Sequence, residues 1–195
     1  MVVTADKILS LTEVQTVVTD LKRKRRYANN RLNLAVFRLA TCCGLRVSEI
    51  ADLLISDIDL ESKRPHVVVR HGKGGKRRTV PLWWDENTLN DLSDWLAERT
   101  AAGAGPMDHV VVTRTGQRID RSNLRKRFVR MTRILNRPLT IHDGRHTFVS
   151  QSLDGGRTLP EVRDAAGHSN VSVTNVYLHA VPDDGTVGNL FSPQV

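Results

Sequence analysis

Apolar residues recur at the period of an α-helix along most of this chain, and that rhythm breaks chiefly over one stretch. Leu11, Val14, Val18 and Leu21 share one helical stripe, and Leu32, Ala35, Val36, Leu39, Ala40 and Cys43 share a second. From His66 to Leu82 the pattern changes. Two β-prone runs, His66–Arg70 and Arg78–Leu82, flank a connection rich in glycine and lysine, which predicts a hairpin. Helical spacing resumes over Asp85–Ala101, from Ser122 through Leu135, and over Ile141–Leu153, Leu159–Ala166 and Val171–Ala180. A short helix through Val47–Leu54 and a short strand at Val110–Val112 complete the expectation. The predicted fold is mainly α with a small antiparallel β-sheet, an α+β domain.

The punctuation fits this reading. Ser10-Leu11-Thr12-Glu13 has the form of a capping box, and Gly44 stands where a helix must stop with a left-handed residue. Gly103-Ala104-Gly105-Pro106, Gly155-Gly156, Gly167 and Pro182 mark further breaks. The sequence has neither an internal repeat nor a clear linker, so residues 1–182 are expected to form one domain. The tail 183–195 is expected to be mobile, or to dock on a neighbouring protomer through Leu190 and Phe191. Cys42 and Cys43 are adjacent, poorly placed to pair with each other, and read as small core residues.

Charge narrows the partners. The formal net charge is +8, and the cations are clustered: Lys22–Arg26 reads KRKRR, Arg70–Arg78 reads RHGKGGKRR, and Arg121–Arg137 holds seven more. Such runs favour a polyanion, of which nucleic acid is the commonest. No apolar run approaches the ~20 residues of a membrane helix. The first residues lack the basic and apolar regions of a signal peptide, so a cytoplasmic location without membrane attachment is expected.

Residues able to handle a phosphate sit at helical spacing. His142, Arg145 and His146 share one helix face, and they combine a planar two-pronged donor with a group that exchanges a proton near neutral pH. His-x-x-Arg alone is common on solvated basic faces. Gly167-His168-Ser169-Asn170 separates two predicted helices, and Tyr177 follows; Tyr27, after the KRKRR run, is the other tyrosine of the chain. Gly72-Lys73-Gly74-Gly75-Lys76 is glycine-rich but lacks the Gly-x-x-x-x-Gly-Lys-Ser/Thr spacing of a phosphate-binding loop, so no nucleotide site is expected there.

Five segments in order resemble the tyrosine recombinase (phage integrase) family. They are Gly44-Leu45-Arg46-Val47-Ser48-Glu49, Gly72–Lys76 leading to Val80-Pro81-Leu82, His142-Asp143-Gly144-Arg145-His146-Thr147-Phe148, Gly167-His168-Ser169, and Thr174–His179. The resemblance runs from about Ser10 to Ala180 and implies a single tyrosine-recombinase-like catalytic domain. It implies that Arg46 and Arg145 clamp the scissile phosphate and that Lys73 protonates the leaving 5′ oxygen. His142 and His168 would complete the site, Tyr177 would be the nucleophile, and Glu49 would buttress the site without reacting. Two positions depart from the family pattern: Gly144 replaces a usual apolar residue, an exchange expected to loosen packing beside Arg145, and Ala165-Ala166 replace bulkier ones. The family's N-terminal core-binding domain is expected to be absent.

The chemistry explains the residue set. Attack on a phosphodiester adds charge to its equatorial oxygens, and arginines offer paired donors without losing their own charge. A tyrosine hydroxyl is neutral at pH 7 and must lose its proton as it attacks. The expected activity is DNA cleavage and rejoining through a covalent 3′-phosphotyrosine, with no cofactor or metal required. Expected partners are double-stranded DNA and three further copies of the chain on it, with a monomer when free. The alternatives are a type I-B topoisomerase, which shares the chemistry but swivels one strand, and a non-catalytic DNA-binding domain.

Overall fold

A computed structural model describes residues 7–23, 29–70, 77–167 and 188–191. The element order is α1 (Leu11–Arg23), α2 (Asn30–Thr41), α3 (Val47–Asp52), β1 (Ile58–Asp59), β2 (His66–Val69), β3 (Arg78–Pro81), α4 (Glu86–Ala101), α5 (Arg121–Met131), α6 (Ile141–Asp154) and α7 (Leu159–Ala166), with 3₁₀ turns at Ile55–Asp57 and Thr132–Leu135. The three strands form one antiparallel sheet in the order β1-β2-β3, with Val67 opposite Val80 and Val69 opposite Arg78. The predicted α+β class is what the structure has.

Helices α1, α4 and α5 each begin where a side chain takes up free backbone N–H groups. Ser10 and Glu13 exchange hydrogen bonds at the head of α1, Asp85 accepts from Thr88 N before α4, and Asp120 accepts from Asn123 N before α5. α2 is the hub. From Leu34 to Thr41 every residue is buried, because α1, α4, α5 and α6 all pack around it. That enclosure includes Arg38. Its guanidinium donates twice to Asp91 Oδ2, at 2.9 and 2.8 Å, and lies 3.6 Å from Asp85. A charge so fully buried persists only when paired and hydrogen-bonded, so this network locks α2 to α4.

Three expectations change. Val110–Val112 is not a strand: Val110 and Val111 are core residues, but only isolated bridges, Leu54 with His109 and Val112 with Arg118, flank them. A run of three valines looks the same whether it is ladder or core. The helix expected at Val47–Leu54 ends at Asp52, because Leu53 turns to extended backbone. Gly144 does not loosen packing. A Cβ there would stand 2.9 Å from Thr41 Oγ1 and 3.2 Å from Phe128 Cζ, so its lack of a side chain lets α6 close on α2.

Of the stretch 183–195, residues 188–191 pack against their own chain. Phe191 is fully buried, its N–H donates to Asp85 Oδ1 at 3.1 Å, and its carbonyl accepts from Gln15 Nε2 at 2.8 Å. Docking of Phe191 on a neighbouring protomer would first have to withdraw it from this seat. The helix expected at Val171–Ala180 lies outside the described residues. Among the described residues no helix is long and apolar enough to cross a membrane.

Candidate active site

Three arginines from three distant segments meet at the C-terminal end of α7. Arg78 Nε donates to Ala165 O at 2.8 Å, Arg145 Nη2 donates to Ala166 O, and Arg46 Nη2 donates to Gly167 O at 3.0 Å. The last carbonyls of a helix have no partners within it and carry the negative end of its dipole, so they attract cations. Gly167 sits at φ +68°, and a Cβ there would come within 2.7 Å of Arg78 Cδ. Both the left-handed turn and the approach of Arg78 therefore require glycine.

Glu49 is the carboxylate these cations share. Arg78 grips it with two nitrogens, at 2.7 and 2.8 Å, while Arg46 donates from Nη1 and from its own backbone N–H, both at 2.7 Å. Glu49 thereby also caps the first turn of α3. Burial alone would raise its pKa, but the hydrogen bonds and charge of Arg78, followed by those of Arg46, outweigh that and hold it at about 2. Among the described residues, three guanidinium groups face one carboxylate, which leaves this part of the cluster positive.

Arg145 carries the cost of that excess. It is 2% exposed, and its other anchor is Gly44 O at 2.7 Å. Burial, then repulsion from Arg46 and Arg78, pushes its pKa down to about 9. It stays charged at pH 7, but an anion placed in the cluster would relieve the strain of holding it there. Its backbone is rigid. Thr140 and Asp143 cap α6 reciprocally, with Thr140 N–H to Asp143 Oδ2 at 2.7 Å. Phe148, one turn beyond, packs under Gly44 and stacks on Trp84 at 6.1 Å.

The structure thus brings Arg46 and Arg145 together, with His142 beside them. His142 lies exposed on the first turn of α6, edge-on to His146 at 4.5 Å between ring centroids. Desolvation first, then Arg145, lowers its pKa, so it is neutral at pH 7 and can donate or accept a hydrogen bond. Lys73, His168 and Tyr177 lie outside the described residues. Among the described residues no group of three His, Cys, Asp or Glu side chains could hold a metal ion.

Sequence reasoning missed Arg78, which looked like one more cation in a basic run. A signal existed: strand alternation puts Arg78 on the face of Val80 and Leu82, which are buried, and an arginine there needs a carboxylate. It also missed Asp143 as a cap, although Thr140-x-x-Asp143 is legible.

The Phage integrase family matches residues 7–183. The chain belongs to this family. Tyrosine recombinase XerC of Escherichia coli O157:H7 (strain EC4115 / EHEC) is 35% identical over 138 residues, which are 70% of this chain and 44% of XerC. This phage integrase family chain spans about half the length of the curated relatives it matches. Among solved structures, XerA recombinase superposes with a TM-score of 0.72 at 24% identity, over 91% of this chain and 62% of XerA. The Tn1549 transposon integrase, solved in complex with transposon right end DNA, gives 0.66 at 21% identity, over 92% and 64%. Those two likenesses show the shared fold.

Proposed function

We propose that this chain is the catalytic domain of a site-specific recombinase that cleaves and rejoins DNA through Tyr177. The observation that carries the reading is the arginine cluster: Arg46 and Arg145, far apart in sequence, are anchored on adjacent carbonyls at the end of α7 with positive charge in excess. Their orientation is fixed before any ligand arrives, by Glu49, Gly44 O and the α7 terminus, and preorganised donors stabilise developing charge best. Support also comes from family membership and from a relative of the same fold solved on transposon DNA.

In the proposed reaction the Tyr177 oxygen attacks the scissile phosphorus, forming a P–O(Tyr) bond as the P–O5′ bond breaks. Arg46 and Arg145 bind the non-bridging oxygens, and neutral His142 donates a hydrogen bond to one of them. Lys73, in the connection between β2 and β3, delivers the proton to O5′. His168, next in the chain after Gly167, takes part in accepting the phenol proton. The 3′-phosphotyrosine conserves the bond energy, so a 5′ hydroxyl reverses the reaction without a nucleotide cofactor. Four copies acting on two duplexes would exchange strands.

A nicked duplex bearing the cognate site, from which the cleaved fragment diffuses away, should trap a covalent adduct with the wild-type chain and none with Tyr177→Phe. Mapping the adduct to any other residue would sink the assignment. Relaxation of supercoiled plasmid without recombinant product would favour the topoisomerase reading.

A further inference from the structure

A carboxylate taken out of water needs a cationic partner, and Glu49 has two that differ in what else they can reach. Each of its oxygens accepts one bond from Arg78 and one from Arg46. Oε1 takes the two Nη1 donors, both at 2.7 Å, and Oε2 takes Arg78 Nη2 at 2.8 Å and the Arg46 backbone N–H at 2.7 Å. Arg78 commits its third nitrogen, Nε, to Ala165 O at 2.8 Å, so every nitrogen of its guanidinium is engaged inside the protein. The Arg78 side chain is 8% exposed, against 25% for Arg46. Arg78 is closed to a ligand, and Arg46 is open to one.

The fold makes room for this enclosure. Arg78 begins β3 opposite Val69, on the strand face of buried Val80, and Gly167 lacks the Cβ that would stand 2.7 Å from Arg78 Cδ. The consequence is one of charge. Were Arg46 and Glu49 alone, the carboxylate would cancel the exposed guanidinium beside it, and a phosphate would meet a nearly neutral pair. With Arg78 the group of three carries one net positive charge, and of the three only Arg46 is open enough to present it. Repulsion from Arg46 and Arg78 also reaches Arg145, after the larger effect of burial.

We propose that Arg78 is a positioning residue for strand cleavage: it offsets the charge of Glu49 and thereby leaves Arg46 a net cation toward the scissile phosphate. The proposal rests on the DNA-cleaving reading above. Arg78 itself touches no substrate. Attack adds charge to the phosphate oxygens, so the surplus counts for more in the transition state than in the bound duplex. Its loss slows the chemical step more than it weakens binding.

The test follows covalent adduct formation on the nicked duplex at saturating full chain, with duplex affinity measured separately. Arg78→Gln should slow adduct formation about tenfold while weakening affinity by less than about threefold. Arg78→Lys keeps the charge without the two-pronged grip, and should react within about threefold of the wild type. Combining Arg78→Gln with Glu49→Gln removes both charges, restores the balance around Arg46, and should give faster reaction than Arg78→Gln alone. A brace acting only through its hydrogen bonds would leave the lysine variant as slow as the glutamine one, and the double variant no faster. Either of those results, or a wild-type rate in Arg78→Gln, overturns the proposal. Circular dichroism checks folding; if Arg78→Gln does not fold, the lysine and double variants should both react within about tenfold of the wild type, and a slower rate in either overturns the proposal. If the wild type forms no adduct, the Tyr177 reading falls, and inorganic phosphate at constant ionic strength decides. Phosphate should stabilise the wild type and the double variant against heat more than it stabilises Arg78→Gln; equal stabilisation, or none in the wild type, overturns the role of Arg78.

Discussion

Replacing Glu49 by glutamine asks whether one carboxylate organises the arginine cluster. Glutamine keeps the volume and can still accept from the Arg46 backbone, but removes the charge facing Arg46 and Arg78. The Glu49 side chain is 4% exposed, so solvent screens these interactions little. Its drop from an ordinary 4.5 to about 2, despite a burial that acts in the opposite direction, corresponds to roughly 3 kcal/mol. That agrees with the ~3–5 kcal/mol typical of breaking a buried ion pair. The folded carboxyl titrates below the unfolded one, so this stability is fully present above about pH 4.5 and is lost as pH falls through about 2. Urea unfolding followed by circular dichroism, on wild type and Glu49→Gln from pH 7 to pH 3, reads the difference directly. Other titrating acids cancel between the two chains. The variant should be about 3 kcal/mol less stable at pH 7, and the gap should narrow below pH 4.5. A gap under ~1 kcal/mol at pH 7, or one that does not change with pH, would refute the shared-carboxylate account.

Two further outcomes follow from packing. Gly144→Leu, which restores an apolar side chain usual in the family, should destabilise the chain by about 1–3 kcal/mol, because the new Cβ meets Thr41 and Phe128; calorimetry checks this, and an unchanged melting temperature would show that α6 can move away from α2. Phe191→Ala should cost about 3–5 kcal/mol in denaturant unfolding of the full chain, since Phe191 is fully enclosed; a loss below ~0.5 kcal/mol would mean that residues 188–191 are not seated on their own chain.

Much of the architecture was readable from local pattern. The α1 capping box, the left-handed Gly44 and the β2–β3 hairpin were all expected, and α7 appears with the predicted bounds. Each is a short-range effect: a cap, a φ preference, or an alternation across a few residues. Where the pattern was ambiguous the reading failed, as at Val110–Val112. The two-residue β1 was too short to carry any signal. At the candidate site, the residue types of Arg46, His142 and Arg145 were identifiable from their motifs.

What the sequence alone determined, then, was which segments would be helix or strand and which residues carry phosphate-handling groups. Only the tertiary structure decided which charges meet. Arg38, Arg78 and Arg145 are chemically identical side chains in the sequence, yet one pairs with Asp91 inside the core, one with Glu49, and one with the backbone carbonyls of Gly44 and Ala166. Those pairings span tens to about a hundred residues, and Coulomb energy falls with distance and dielectric, so they exist only after α2, α4, α6, α7 and the hairpin have excluded water around them.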